Sequence, residues 1–322
     1  MGKATGWVRI SCSIGLVLGV WILPATGQFE RIVVASKAEN GQVSVLTGSL
    51  GPQVSISGLG GQVVLGVQSD NSIITGTDDG AGNGGFNKRD PLTLAVIPGS
   101  GGGGLGAPVR TIAVFSNDSV FIGSGNGTNN QVRNADLTAI IAGGGPALFG
   151  DEGLPDSVVQ SDDDLIFIYS NSALAVDQQG RLRRDPLGSL GLTGPDENLG
   201  AAGGVPILGV AVAVQSDDTI VVARDDRYVE LRHGTTLSPD LGGFTRSAGA
   251  FGADITALGV LSDGRVVIGT SDGEIQVRSS DLQTPLVSQG GFGAISALAV
   301  QADDDIVVGN QAGEVRVLDP ST

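Results

Sequence analysis

A short cassette recurs six times along the chain, and no other feature restricts its fold as tightly. Each copy joins an apolar strand, a turn centred on Ser-Asp or a close variant, and a second apolar strand. The copies read "LGVQSDNSIITG" from Leu65, "IAVFSNDSVFIG" from Ile112, "VVQSDDDLIFI" from Val158, "VAVQSDDTIVVA" from Val212, "LGVLSDGRVVIG" from Leu258 and "LAVQADDDIVVG" from Leu298. The Ser (Ala in the last copy) falls at 69, 116, 161, 216, 262 and 302, which spaces the copies by 47, 45, 55, 46 and 40 residues. A β unit of that length holds about four short strands and cannot bury both of its faces alone, so it has to stack on copies of itself. The Asp, Asn and Gly residues in the middle of the cassette suit tight hairpins. A β-sandwich uses similar strands but gives no reason for a near-fixed interval.

Third and fourth strands follow the cassettes. "NQVRN" (130–134), "YVELR" (228–232) and "EIQVR" (274–278) are third strands, and "TLAVI" (93–97), "TAIIA" (138–142) and "PLVSQ" (285–289) are fourth strands. The 53 glycines and 13 prolines leave no long helical stretch, and short Val/Ile/Thr runs dominate instead. A seventh unit starts earlier, because "IVVASKAENGQVSVLTGS" from Ile32 aligns with "IVVGNQAGEVRVLDPS" from Ile306, and "VSISG" (54–58) supplies its fourth strand. The expected fold is all-β: one seven-bladed β-propeller domain over residues 1–322, with blades near 14–58, 62–97, 110–142, 156–192, 207–242, 255–289 and 295–319.

The last of these units has only three strands. "WVRISCSIGLVLGV" (7–20) parallels "QVSISGLGGQVVLGV" (53–67), which spans the outer strand of one unit and the inner strand of the next. Read in the same way, residues 14–20 are the inner strand of the first blade and residues 7–11 are a strand that closes the last one. Trp7, Val8 and Ile10 would then lie against Val315 and Val317, leaving no free edge in the ring. The competing reading takes Lys3, Arg9, the apolar run and Ala25-Thr26-Gly27 as an export signal cut before Gln28, which would remove both strands. The first reading requires a long hairpin loop, "WILPATGQFE" (21–30).

"VVIGTSDGEIQVRSSDLQT" from Val266 resembles the second-to-third strand segment of a WD40 repeat, with its glycine, its Ser-Asp-Gly turn and its Ile-x-Val strand. Turns such as "SDGRVVIG" are also similar to other bacterial propeller repeats. At the Trp-Asp position of the WD40 family this chain has Arg278-Ser279, no Gly-His opens a unit, and the one histidine, His233, falls elsewhere. The resemblance implies a propeller without the family's His/Asp network, and it implies no activity.

Two sets of residues recur at equivalent positions. Asp70, Asp118, Asp162, Asp217, Asp263 and Asp303 sit in the first hairpin turns, which a propeller projects from one face. They form either a partner-facing acidic ring, with weak calcium binding as a variant, or ordinary turn chemistry, since none of the turns has the spacing of a dedicated calcium loop. Arg89, Arg133, Arg184, Arg232 and Arg278 end third strands. Pairing with a following acid would staple each hairpin, at ~0–1 kcal/mol per exposed pair, and the alternative is a ring that faces a partner. The glycine tracts at 80–85, 99–107 and 143–145 lack the Lys-Ser/Thr of a phosphate loop and read as linkers. Segments 149–157 and 192–204 read as insertions that break the ring's pseudo-symmetry. "NDS" at Asn117 and "NGT" at Asn126 are glycosylation triplets.

A net charge of −16 with no basic patch disfavours nucleic acid and anionic membranes. The single cysteine, Cys12, excludes an internal disulfide or a thiolate cluster. With His233 alone no histidine-based site forms, so catalysis would rest on carboxylates, as in a hydrolase or lyase, and no catalytic, cofactor or metal residues are assigned. The function expected is a non-catalytic subunit that binds protein partners in an assembly, with an intracellular or assembly-bound location. The alternative is a secreted or periplasmic propeller that holds a small ligand, sugar or cation in its channel.

Overall fold

Where neighbouring sheets cover a strand on both faces, its sequence turns into a continuous apolar run. In the computed structural model all five residues of Val120–Ser124, Ile220–Arg224, Val266–Thr270 and Ile306–Asn310 are buried. The structure describes residues 8–9, 17–23, 31–36, 41–47, 52–78, 83–103, 105–125, 129–143, 156–171, 179–186, 194–199, 201–202, 205–239 and 250–321. The chain is an all-β, seven-bladed propeller of antiparallel sheets around a central axis.

Each blade runs from the axis outward in chain order. Blade 6 shows the pattern, with inner strand Ile255–Val260, second strand Val266–Thr270, third strand Ile275–Arg278 and outer strand Pro285–Gln289. Blade 2 is Val63–Val67, Ile73–Asp78, Gly84–Arg89 and Val96–Gly102, and blade 3 is Val109–Val114, Val120–Ser124, Gln131–Arg133 and Ile140–Gly143. Blade 4 is Asp156–Val159, Leu165–Asn171, Gln179–Asp185 and Asp196–Asn198. Blade 5 has three described strands, Gly209–Val214, Ile220–Arg224 and Val229–Arg232; the end of the expected unit, from 240 on, lies outside the described residues.

Blade 1 consists of Val17–Leu23, Arg31–Ser36, Gln42–Thr47 and Pro52–Ile56. Its inner strand lies three residues later than the sequence parallel places it, which shortens the first hairpin connection to residues 24–30. The inner strand packs beside those of both blade 2 and blade 7, so the inner strands form a closed circuit. Blade 7 is Ile295–Val300, Ile306–Asn310 and Glu314–Leu318, completed by Val8–Arg9 from the other end of the chain. Val8 faces Val315 and Arg9 faces Glu314 in antiparallel register. Trp7 and Ile10 lie outside the described residues, and Val317 pairs with Val307 inside the blade.

The core is distributed over the seams between blades. Seven apolar clusters each join two neighbouring blades, and the last sets Ile32, Val34 and Leu46 of blade 1 against Ala297, Val307 and Val315 of blade 7. Close approach explains the glycine near the end of several second strands. A Cβ on Gly76 would stand 2.4 Å from Val109 Cγ1, and one on Gly269 would stand 2.8 Å from Ile295 Cγ2.

Two expectations about loops are corrected. The tract 99–107 is not all linker, because Val96–Gly102 is an outer strand and a Cβ on Gly102 would stand 2.7 Å from the Phe86 ring. Segment 192–204 is not a simple insertion, since it carries blade 4's outer strand Asp196–Asn198 and the first strand of a small hairpin, Ala201–Ala202 with Val205–Pro206.

Candidate functional site

The Ser-Asp turns divide their polar side chains between two tasks. The first acid or amide of each turn caps its own backbone: Asp70 accepts from Ser72 N–H, Asn117 from Ser119, Asp162 from Asp164, Asp217 from Thr219, Asp263 from Arg265 and Asp303 from Asp305. The next residue has a left-handed backbone, with φ of 63° at Asp118, 66° at Asp163, 64° at Asp218 and 68° at Asp304. Asp tolerates that conformation because its short polar side chain can bond locally.

From there the carboxylate reaches the serine of the preceding blade and takes two hydrogen bonds. The pairs are Ser69 with Asp118, Ser116 with Asp163, Ser161 with Asp218, and Ser262 with Asp304; the serine N–H lies 2.7–2.9 Å away and the Oγ 2.5–2.6 Å away. Below the clasp a glutamine crosses the same seam. Gln68 Nε2 donates to Asp118 O and Ala135 O, and Gln160 Nε2 donates to Asp218 O; at the seam between blades 5 and 6, which has no clasp, Gln215 Nε2 makes the same crossing to Gly264 O and Ser280 O. Thus Asp118 is not equivalent to Asp70, Asp162, Asp217, Asp263 and Asp303. It belongs with Asp163, Asp218 and Asp304, and its carboxylate is already occupied.

The strand-end arginines also turn inward. Arg89, Arg232 and Arg278 are buried and Arg133 is half-buried. Each sends Nη1 to the carbonyl of a leucine in the third-to-fourth turn: Leu94 at 3.0 Å, Leu137 at 3.1 Å, Leu237 at 3.2 Å, and Leu282. All four leucines are fully buried with φ between 58° and 63°, an uncommon backbone for a branched side chain. The expected Arg-to-Asp staple is therefore corrected: the anchor is a backbone carbonyl, and the residue after the arginine caps the turn, as Asp90 does for Leu92 and Thr93 N–H. His233 Nδ1 does the same for Thr235 N–H. Burial holds the pKa of Arg89, Arg133 and Arg278 below the ordinary guanidinium value.

Arg184 is out of step with this set. It stands opposite Ile166, and the position its counterparts occupy, opposite the first residue of the second strand, belongs to Asp185. Elsewhere an arginine takes Gln or Glu two residues earlier, as Arg133 takes Gln131 and Arg278 takes Gln276. Blade 4 reverses the charges, with Arg183 Nε donating to Asp185 at 3.1 Å. Arg184 instead turns to Asp162 and Asp164 on the turn face. Beside this pair Tyr169 Oη donates to Asp196 at 2.7 Å, and its pKa is pushed up to about 12 by burial and by that bond.

Toward the axis, a recess of about 380 Å³ opens where the inner strands of blades 2, 3 and 4 meet their turns. Its walls are mainly Val67, Ile112, Val114, Phe115, Val158 and Val159, and its Ser69, Ser116 and Asp118 groups are held in clasps. Asp156, on the inner strand of blade 4, accepts from Val212 N–H of blade 5 and from Ser157 N–H. Protein surrounds its carboxyl group closely even though some side-chain surface remains accessible, and this burial pushes its pKa up to about 6 against the pull of the two N–H donors. Among the described residues, no group of three or more His, Cys, Asp or Glu is placed to hold a metal ion, and no helix is long and apolar enough to cross a membrane.

The outer rim is where apolar surface stays exposed. The exposed large hydrophobic residues among those described are Leu92, Val96, Ile140, Ile141 and Leu286, all on outer strands or in the turns leading to them. The sequence analysis placed Val96, Ile140, Ile141 and Leu286 in fourth strands and left Leu92 outside them, and it marked none of these residues as exposed.

No family model matches the chain, and no curated protein matches it. Among solved structures, the WD40 β-propeller domain of Doa1 superposes with a TM-score of 0.68 over 99% of this chain and 96% of that one, at 13% identity. At that identity the likeness is one of fold, a seven-bladed β-propeller.

Proposed function

We propose that this propeller is a non-catalytic subunit that binds protein partners within a larger assembly. The observation that carries this reading is the distribution of exposed apolar side chains. The repeated arginines turn inward and the exposed turn acids cap their own backbones, whereas Leu92, Val96, Ile140, Ile141 and Leu286 leave apolar surface exposed on the outer strands and the turns leading to them. The adjacent pair Ile140 and Ile141, exposed on one outer strand of a rigid scaffold, is the part of this surface best suited to a contact. The Doa1 domain shares the architecture and lends only that.

The channel reading has less support. The recess is mostly apolar, and the polar groups that a sugar or cation would use there are already engaged, Ser69 with Asp118 and Ser116 with Asp163. Removal of residues 1–27 would also take away Val8–Arg9 and Val17–Leu23, two strands of the ring. The test is the native mass of the protein isolated gently from its source. A 32.3 kDa subunit within a larger particle of reproducible composition is expected. A lone monomer at high concentration would overturn the reading.

A further inference from the structure

Among the described residues no strand pairs with the far edge of the outer strands, and natural sheets protect such edges with proline, charge or bulges. Blades 1, 2 and 6 carry Pro52, Pro98 and Pro285 in their outer strands. Blade 4 places Asp196 and Glu197 there, and blade 7 places Arg9. Blade 3 ends on Ile140–Gly143, "IIAG", and is the one described outer strand with neither a proline nor a charge. The bulge where this strand meets the third strand gives no special protection, because blades 1, 2 and 6 have the same irregularity.

Ile140 is 56% exposed and Ile141 53%. Consecutive residues of a strand point to opposite faces, so apolar surface is open on both sides of this edge. The occupant that fits is an extended segment with apolar residues at two successive positions, one for each face, and with backbone groups that pair with the open edge. Charge sets the rest of its chemistry. Asp136 is exposed in the turn just before the strand, and the nearby cations are engaged: Lys88 with Asp70 and Ala135 O, and Arg133 with Gln131 and Leu137 O while it lies over the Phe86 ring. With a net charge of −16 on the chain, a second copy would meet repulsion and a basic segment attraction.

We propose that the outer edge of blade 3 takes a basic, apolar-centred segment of a partner protein as a fifth strand. This rests on the protein-binding reading above and gives it a surface. The test uses the full chain and a labelled, end-capped peptide, Lys-Thr-Val-Ile-Thr-Lys-Lys, with fluorescence anisotropy as the readout. Saturable binding that weakens with salt is expected. Ile140→Lys with Ile141→Lys should lower affinity roughly tenfold or more, and Leu286→Lys should not. N-methylation of alternate amides along one edge of the peptide should abolish binding, whereas methylation along the other should not, which separates strand addition from apolar adhesion.

Equal binding of a peptide with Glu in place of Lys, or indifference to the double substitution, would overturn the proposal. So would sedimentation showing a dimer that the double substitution dissolves, since the occupant would then be a second copy. If the double variant still enters its native particle, the edge proposal fails while the subunit reading stands. A native monomer that binds the peptide would mean the reverse.

Discussion

A carboxylate that spans a seam does what no residue inside one blade can do, because it ties the turn of one unit to the turn of the next. Among the described residues four seams have this clasp, and the seam between blades 5 and 6 shows what happens without it. There Ser216 has the serine position, but Gly264, with φ of 86°, stands where the others have Asp. A Cβ on Gly264 would meet Ser280 Cβ at 3.4 Å, an ordinary contact, and although a φ of 86° strains most side chains, Asp already stands in the left-handed region, at 63° to 68°, at the four clasp positions. Gly264→Asp should therefore form the missing clasp and raise stability by about 1 kcal/mol in chemical denaturation, the usual net worth of such bonds. Adding Ser216→Ala should cancel the gain, and a gain that survives would assign it to loss of glycine freedom in the unfolded chain. The repetition of Ser and Asp is plain in the sequence, but the division of labour is not. Each clasp joins residues 42 to 57 positions apart, and only the left-handed backbone shows that the second acid of the turn is the one that reaches across.

Within single blades, polar side chains fix strand register where apolar packing would tolerate a slip. Blade 5 shows this best. Fully buried Arg224 donates to Glu230 at 2.7 Å and to Asp226, and Glu230 also receives Arg232, whose Nη1 reaches Leu237 O. The chain of charges runs the length of the sheet, and Glu230 is its hinge at 2% exposure. Glu230→Gln removes one charge and leaves two buried guanidinium groups facing a neutral amide. A loss of about 3 kcal/mol or more is expected in urea unfolding.

Asp156 makes a comparable link between blades 4 and 5, with a sign set by burial. Its folded pKa of about 6 lies above the ordinary 3.8, so the folded state holds the proton more tightly than the unfolded chain does. Its contribution to stability is full below pH ~4, declines as the pH rises toward 6, and is gone above that, a span of up to ~3 kcal/mol. Relative to Asp156→Asn, the parent should lose stability between pH 4 and 6 in thermal melts. A flat difference would mean that the carboxyl is not buried as described. The strands were legible because apolar runs and turns alternate at a constant interval, whereas Asp156 and Glu230 were not, since their meaning depends on a neighbour across a seam or a strand.

At the scale of the whole molecule, the ring is a cycle of seven similar interfaces, and its stability depends on the cycle being complete. The period and the three-strand last unit made this readable: a unit that lacks an outer strand implies one supplied from elsewhere, and the N-terminal parallel to residues 53–67 supplies it. Exposure of the rim was beyond reach, because the order of strands in the repeat identifies the outer strand but does not say which of its side chains stay uncovered. The structure has Val8 opposite Val315 and the blade 1 inner strand between those of blades 2 and 7. A protein that begins at Gln28 would keep the blade 7 core but lose the strand beyond Glu314–Leu318, and blade 1 would expose Arg31–Ser36 to the channel. Two edges would open at one seam, the one where Ile32, Val34 and Leu46 of blade 1 meet Ala297, Val307 and Val315 of blade 7. The truncated protein is expected to melt well below the parent, in a broader transition, and to associate through the opened edges in size-exclusion chromatography. A truncated protein that stays monomeric with the parent's sharp melt would show that the first two strands add nothing to the cycle, and the ring would then have to be held by the six remaining seams alone.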